Sequence, residues 1–349
     1  MMRIVVIFLL AGVIVMEVSA SGASGVPDIA CQGNRPETLI DTSGRRISVI
    51  TPFKRIISLY GAHTENLFAL GIEAHIIGVS RHETFPPEAL NRPVFSYHDD
   101  PEKFIAARPD LVIIRPMIDL AYPKLIKRLE QNGITVVSLQ PGSIREMYDY
   151  WEALGKLTGK VAEALRMIQS FQDATLDFRK LAEKIKKKRT VYFEAVHSKM
   201  KTFTPGSMPI FVLETVGGIN IASDAVSVRG SNIASYGKEK ILSKGPDIDV
   251  YLAQTGVMNC PTLESIYKEP GFRVIRAVRN KAVFLVDEQA VSRPTFRLLR
   301  GMMEIGGSLY PGLFCEEGLG ILKAAIKNRP EILGEVSAMG VCREPGVHH

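Results

Sequence analysis

Short polar stretches of this sequence carry side chains able to grip a small charged molecule: Tyr60 and His63, Arg81 and His82, Tyr97 and His98, Arg115 and Met117, His197 to Lys201, Gln254, and Gln289 to Arg293. They are expected on loops at strand ends. Arginine offers a fixed fork of donors to a carboxylate, and tyrosine or histidine can ligate iron. Arg81, Arg115, Lys199, Lys201 and Arg293 give the set a positive balance, which suits an anionic ligand. Catalysis finds less support. Gly206-Ser207 lacks the flanking glycines of a nucleophile elbow, and Gly155 to Lys160 is one residue short of a phosphate loop with no Ser or Thr after the Lys. His82-Glu83 lacks the second His of a zinc helix. Capture of a bare metal ion is an alternative, since His63, His98, His197 and Asp287 would be suitable ligands if the fold brought them together.

The elements that must position these residues are organised around Lys160 to Lys187, which contains neither Gly nor Pro. Val161, Ala164, Ile168, Phe171, Ala174, Phe178, Leu181 and Ile185 recur at three- and four-residue steps, so the spacing predicts one helix with a single apolar stripe. At 1.5 Å per residue it would be about 42 Å long, a rigid strut between two lobes. Before it, Thr38 to Val49 reads as a hairpin turning at Ser43-Gly44. Strands are predicted at Arg55 to Tyr60, His75 to Ser80, Leu111 to Arg115 and Ile134 to Leu139, with helices ending at Gly71 and Gly133. After it, strands at Thr190 to Val196, Ile248 to Ala253 and Ala282 to Val286 alternate with helices at Pro209 to Val216, Glu239 to Ser243 and Thr295 to Leu309. Strands alternating with helices predict two Rossmann-like α/β lobes of one design, spanning 38–159 and 189–312, joined by the helix 160–187 and followed by a helical tail 313–349. A ligand cleft is expected where the strand ends of the two lobes face each other.

The chain has 349 residues, 46% of them hydrophobic, which is ample for two cores. Arg3, the apolar run Ile4 to Met16, and the small residues Val18 and Ala20 read as a leader, 1–20, cleaved after Ala20 or Ala23. The run is too short to span a bilayer, which takes about 20 residues, and Cys31 stands too late to be a lipoprotein cysteine, so an exported, periplasmic protein without a membrane-embedded segment is expected. Cys31, Cys260, Cys315 and Cys342 remain in an oxidising compartment, and the sequence does not choose among their pairings. The formal charge of +6 could attract nucleic acid, but an exported protein meets little of it.

Five segments carry a resemblance. Arg55 to Gly71, Ile76 to Ser80, Pro101 to Ile113, Glu214 to Ala222 and Val291 to Leu298 occur in the order and spacing of the substrate-binding proteins of ABC importers for iron–siderophores, haem and cobalamin. The chain resembles that family over about residues 38–312. The resemblance implies two lobes joined by a long helix, a monomer that closes modestly on its ligand, and no resident cofactor. It implies as partners a small-molecule metal chelate and the permease and ATPase of an importer. The ligand expected from the arginines is an anionic ferric chelate, with haem as runner-up through Tyr97, because haem-binding relatives often carry an axial Tyr in that loop. Where cobalamin-binding relatives have a Cys before the paired glycines, this chain has Val216. Glu102 and Glu239 stand where the family commonly presents one acidic residue per lobe to permease arginines, although acids near a helix start are also favoured by the helix dipole alone.

Overall fold

The β3 segment Ile56–Ser58 is apolar on both faces, and so are β6 (Leu111–Ile114) and β7 (Thr135–Ser138), as strands covered by helices on two sides must be. With β4 (Ile76–Ser80) and β5 (Val94–Phe95) they build a five-stranded sheet in the order β5-β4-β3-β6-β7, every pair parallel. The structure is a computed structural model that describes residues 37–227 and 230–327. The expected leader, its cleavage sites, Cys31 and Cys342 lie outside them.

The hairpin is present as β1 (Glu37–Ile40) and β2 (Arg46–Val49), antiparallel, with Gly44 at φ 81° in the turn. Helices α1 (Gly61–Ala69), α2 (Pro101–Ala107), α3 (Pro116–Ala121) and α4 (Pro123–Gln131) connect the strands of the first sheet. Helix α5 (Ile144–Thr158) is an element the sequence reading did not single out. Its signals were present: Ser143 caps the helix by accepting from the Glu146 N–H at 3.3 Å, and Gly159 ends it at φ 71°. Residues Gly155 to Lys160 are therefore the end of this helix and its cap, not a phosphate loop.

The long helix, α6, runs Val161–Glu183 and is shorter at both ends than its periodicity suggested. Its last turn tightens into i→i−3 bonds from the Lys184 and Ile185 N–H groups to Leu181 and Ala182, where the run Lys186-Lys187-Lys188-Arg189 begins to place like charges together. Ala164, Phe171, Ala174, Phe178 and Leu181 are buried as expected, joined by Met167, Thr175 and Ala182, whereas Val161, Ile168 and Ile185 are half-buried. Its buried face belongs to a core cluster that also takes Ile56 and Ile113 from the first sheet, Trp151 from α5, and Val191 and Phe193 from the second sheet. The helix is thus packed inside a core shared by both halves rather than standing free between them.

The second sheet joins β8 (Thr190–Val196), β10 (Ile219–Asn220), β13 (Val250–Thr255) and β14 (Val283–Asp287) in parallel. Three antiparallel strands, β9 (Lys201–Phe203), β12 (Ile233–Ser235) and β11 (Val226–Ser227), extend it beyond β8. The expectation that both lobes share one design therefore fails for this edge: β8 returns through a tight hairpin at His197 to Met200, with Met200 at φ 47°, instead of crossing over through a helix. Helices α7 (Met208–Thr215), α8 (Lys238–Lys244), α9 (Leu263–Lys268), α10 (Arg276–Arg279), α11 (Glu288–Val291) and α12 (Leu298–Leu309) complete this half.

Contacts between the halves are polar as well as apolar. Arg297, only 1% exposed, forms a forked ion pair with Glu65 of α1 at 2.9 and 3.1 Å, and the Asn66 amide and Trp151 indole N–H both donate to the Pro294 carbonyl, at 3.0 and 3.2 Å. Among the described cysteines, Cys260 is a free, exposed thiol and Cys315 is disulfide-bonded, so pairings that use Cys260 are not those of this structure.

Candidate functional site

A cleft of about 690 Å³ opens at the carboxyl ends of the parallel strands of both sheets. One wall comes from the turns after β3 (Tyr60), β4 (Arg81, His82), β5 (Tyr97, His98), β6 (Arg115, Met117) and β7 (Gln140). The other comes from β13 and its loop (Gln254, Val257, Met258), the paired edge strands β9 and β12 (Phe203, Asn232, Ile233), and the segment around α11 (Glu288, Ser292, Arg293). Parallel strands place these side chains together because every carboxyl end faces the same way.

Of the expected ligand-binding residues, the structure brings Tyr60, Arg81, Tyr97, Arg115, Met117, Gln254 and Arg293 to the cleft wall and leaves His63, His197 and Lys201 off it. His63 is fully buried in the first turn of α1. Its Nε2–H donates to the Ile114 carbonyl at 3.1 Å and its Nδ1 accepts from the Tyr150 hydroxyl at 2.7 Å, so it is a neutral imidazole holding α1 to β6 and α5. Burial drives its pKa down to about 3. His197 turns away because the β8–β9 connection is a hairpin: its Nδ1 pairs with the buried Glu194 carboxylate at 2.7 Å and its Nε2 lies 3.8 Å from Glu269. That hydrogen bond to Glu194 raises its pKa above the ordinary histidine value. Lys201 opens strand β9, paired with Ser235 and Val196, and does not line the cleft. The histidines proposed for a bare metal ion thus do not converge. Among the described residues no group of three or more His, Cys, Asp or Glu is placed to hold a metal.

The wall contributed by the first sheet is preorganised. The Arg115 guanidinium lies 4.4 Å from the Tyr60 ring centroid and donates to the Gln140 side chain at 3.0 Å. Tyr97 packs on His98 and Tyr122 with centroids 4.5 and 4.9 Å apart, and the Tyr122 hydroxyl lies 3.1 Å from His98 Nδ1. Burial raises the Tyr60 pKa, opposed by Arg115 and Arg293, so its phenol stays protonated. Glu83, just behind the wall, also has a pKa raised by burial despite hydrogen bonds from Ser80 and Thr64.

The sequence reading missed Gln140, Phe203, Asn232, Ile233, Val257, Met258 and Glu288. The strand-end rule, applied to β7 and to the turn after Thr255, would have found Gln140, Val257 and Met258. Phe203, Asn232 and Ile233 had no such signal, because they belong to the antiparallel edge. The cleft is bridged by the Asn232 amide donating to the Gly142 carbonyl at 3.3 Å, and away from its lining the two halves are also joined by Thr84 donating to Gln289. Glu102 and Glu239 lie outside the cleft, exposed, each second in its helix, and Glu102 pairs with Arg128 at 3.2 Å.

Two α/β halves around a shared helical core, with one cleft at both sets of strand ends, define a two-lobed protein that captures a small molecule. The chain belongs to the periplasmic binding protein family, whose model matches residues 56–290. It is 29% identical over 285 residues, 80% of this chain and 88% of the relative, to an uncharacterised ABC transporter substrate-binding lipoprotein of Bacillus subtilis. It is 26% identical over 257 residues, 73% of this chain and 88% of the relative, to the vitamin B12-binding protein of Vibrio cholerae. Among solved structures it is similar to a possible iron-binding, periplasmic solute-binding protein of Staphylococcus epidermidis, with TM-score 0.65 and 28% identity over 74% of this chain and all of that one. Among the described residues no helix is long and apolar enough to cross a membrane.

Proposed function

We propose that this protein, exported through the leader at 1–20, captures an anionic ferric siderophore and delivers it to the permease of an ABC importer. The observation that carries the reading is the convergence of Arg81, Arg115 and Arg293 on one cleft whose lining carries a single carboxylate, Glu288. An arginine fork held over an aromatic ring, as Arg115 is over Tyr60, favours a rigid, acidic, partly aromatic ligand. A corrinoid is the second reading, supported by the vitamin B12-binding relative and by the apolar lips Val257 and Met258, which are 71% and 56% exposed. Haem would use Tyr97.

Calorimetric titration with a ferric catecholate, a ferric hydroxamate, haemin and cyanocobalamin tests the order. The expected outcome is binding of a ferric siderophore at least about tenfold tighter than of the other classes, a margin of about 1.4 kcal/mol. Tight cyanocobalamin binding with no siderophore binding would transfer the proposal to the corrinoid reading.

A further inference from the structure

Arg115 lies between two short supports, neither of which holds itself. It stands at the amino end of α3, whose first turn closes on the Arg115 carbonyl through the Ile118 N–H at 2.9 Å. Its side chain donates to Gln140, two residues beyond Ser138, the last residue of β7. Helix α3 has only six residues, and so short a helix is held in water by tertiary contacts rather than by its own hydrogen bonds. Ile118 anchors it on the inside, 1% exposed. On the outside the anchor is the turn of the β1–β2 hairpin. The Arg45 guanidinium forks onto the Asp119 carboxylate at 2.7 and 3.1 Å, and the Ser43 hydroxyl donates to the same group.

That turn is itself held rigidly. The Asp41 carboxylate, wholly buried, accepts from the Ser43 and Arg45 N–H groups at 3.0 and 2.8 Å and from Arg45 Nε at 2.8 Å. It also accepts from the Ser138 N–H at 2.9 Å, and the Thr42 N–H donates to the Ser138 carbonyl at 2.9 Å. One turn therefore grips both supports, α3 through Asp119 and the end of β7 through Ser138. Charge-assisted, bidentate contacts fix orientation as well as distance. None of Asp41, Ser43, Arg45, Asp119 or Ser138 lines the cleft.

We infer that the β1–β2 hairpin turn is the positioning device for Arg115. By gripping α3 and β7 together, Arg45 and Asp41 hold the Arg115 guanidinium on the cleft wall, hydrogen-bonded to Gln140 and 4.4 Å from the Tyr60 ring centroid. The role given to Arg115 rests on the chelate-capture reading, whereas the placement of its side chain is measurable without any ligand. Nuclear magnetic resonance of the ligand-free protein reads that placement, because a guanidinium held over an aromatic ring carries a ring-current shift at its Nε–H. Arg115→Lys assigns the resonance. Arg45→Met removes the fork and Asp119→Asn weakens it at nearly constant shape, and each should move the Arg115 resonance toward that of an exposed arginine. Arg46→Met, which takes the same charge from an exposed neighbour on the same hairpin, should leave it in place. A ferric catecholate should bind Arg45→Met and Asp119→Asn about fivefold more weakly than the wild type, and Arg46→Met as tightly. Both measurements are made well below each variant's melting midpoint, so that lost stability alone does not register. If Arg45→Met does not fold, Asp119→Asn decides alone. A resonance that stays in place in the fork variants, moves as far in Arg46→Met, or moves while catecholate affinity holds would overturn the positioning role. Should the wild type bind no ferric catecholate, the capture reading falls and the resonance alone decides the positioning role.

Discussion

His63 and His197 were both expected at the cleft, and the structure gives them opposite electrostatic roles elsewhere. Burial holds His63 neutral down to about pH 3, against 6.5 for an ordinary histidine. In that window the unfolded chain binds a proton that the folded chain refuses, so stability falls as pH drops through it. At about 1.4 kcal/mol per pH unit, this group alone removes about 2 kcal/mol by about pH 5. His197 has the reverse sign. Its pKa is raised by Glu194, so its contribution is complete below the unfolded value and is lost as pH rises through the folded one. Thermal melts across pH check both: His63→Gln should flatten the decline on the acid side, and His197→Gln the decline on the neutral-to-alkaline side. Wild-type profiles in both variants would show that neither histidine titrates as its contacts require.

Helix α6 carries the next prediction because its buried face is shared by both halves. Phe171 is fully buried, with ring centroids 5.4 Å from Trp151 of α5 and 5.9 Å from Phe296 just before α12. Phe171→Ala removes that junction and should cost about 3–5 kcal/mol, read as an earlier urea midpoint. Leu176→Ala, on a residue 50% exposed, should change stability by no more than about 0.5 kcal/mol. A comparable loss at both positions would mean that the two faces of the helix are wrongly assigned. This helix was legible in the sequence because a single apolar stripe of period 3.6 is the strongest local signal a chain offers. The parallel strands were legible too, as short apolar runs between helices. The antiparallel edge β9–β12–β11 was not. Its strands are only two or three residues long, and nothing local distinguishes a hairpin after β8 from a helical crossover. That one misreading displaced His197 and Lys201 from the site and hid Phe203, Asn232 and Ile233. His63 was misplaced for a different reason: a residue in the first turn of a helix can face the strand-end opening or the core, and only the partners Tyr150 and Ile114, distant in sequence, decide which.

At the scale of the molecule, the shared core around α5, α6 and α12 fixes how the two lobes present themselves to a partner. We propose that Glu102 and Glu239 are the docking posts for permease arginines. Both are exposed, both sit in the first turn of their helices, and neither lines the cleft. Each belongs to a different half, so their separation is set by the core rather than by a loop. Exposed charge pairs contribute only about 0–1 kcal/mol singly, and Glu102 already shares its carboxylate with Arg128 at 3.2 Å, so either substitution alone should barely register. The double variant Glu102→Ala with Glu239→Ala removes both ends of the register and the attraction that steers encounter. It should leave chelate affinity unchanged while lowering uptake and ATPase stimulation in a reconstituted transporter, and raising salt should reduce the difference between wild type and variant. Wild-type transport by the double variant, or a loss of chelate binding in its place, would remove both residues from the docking surface.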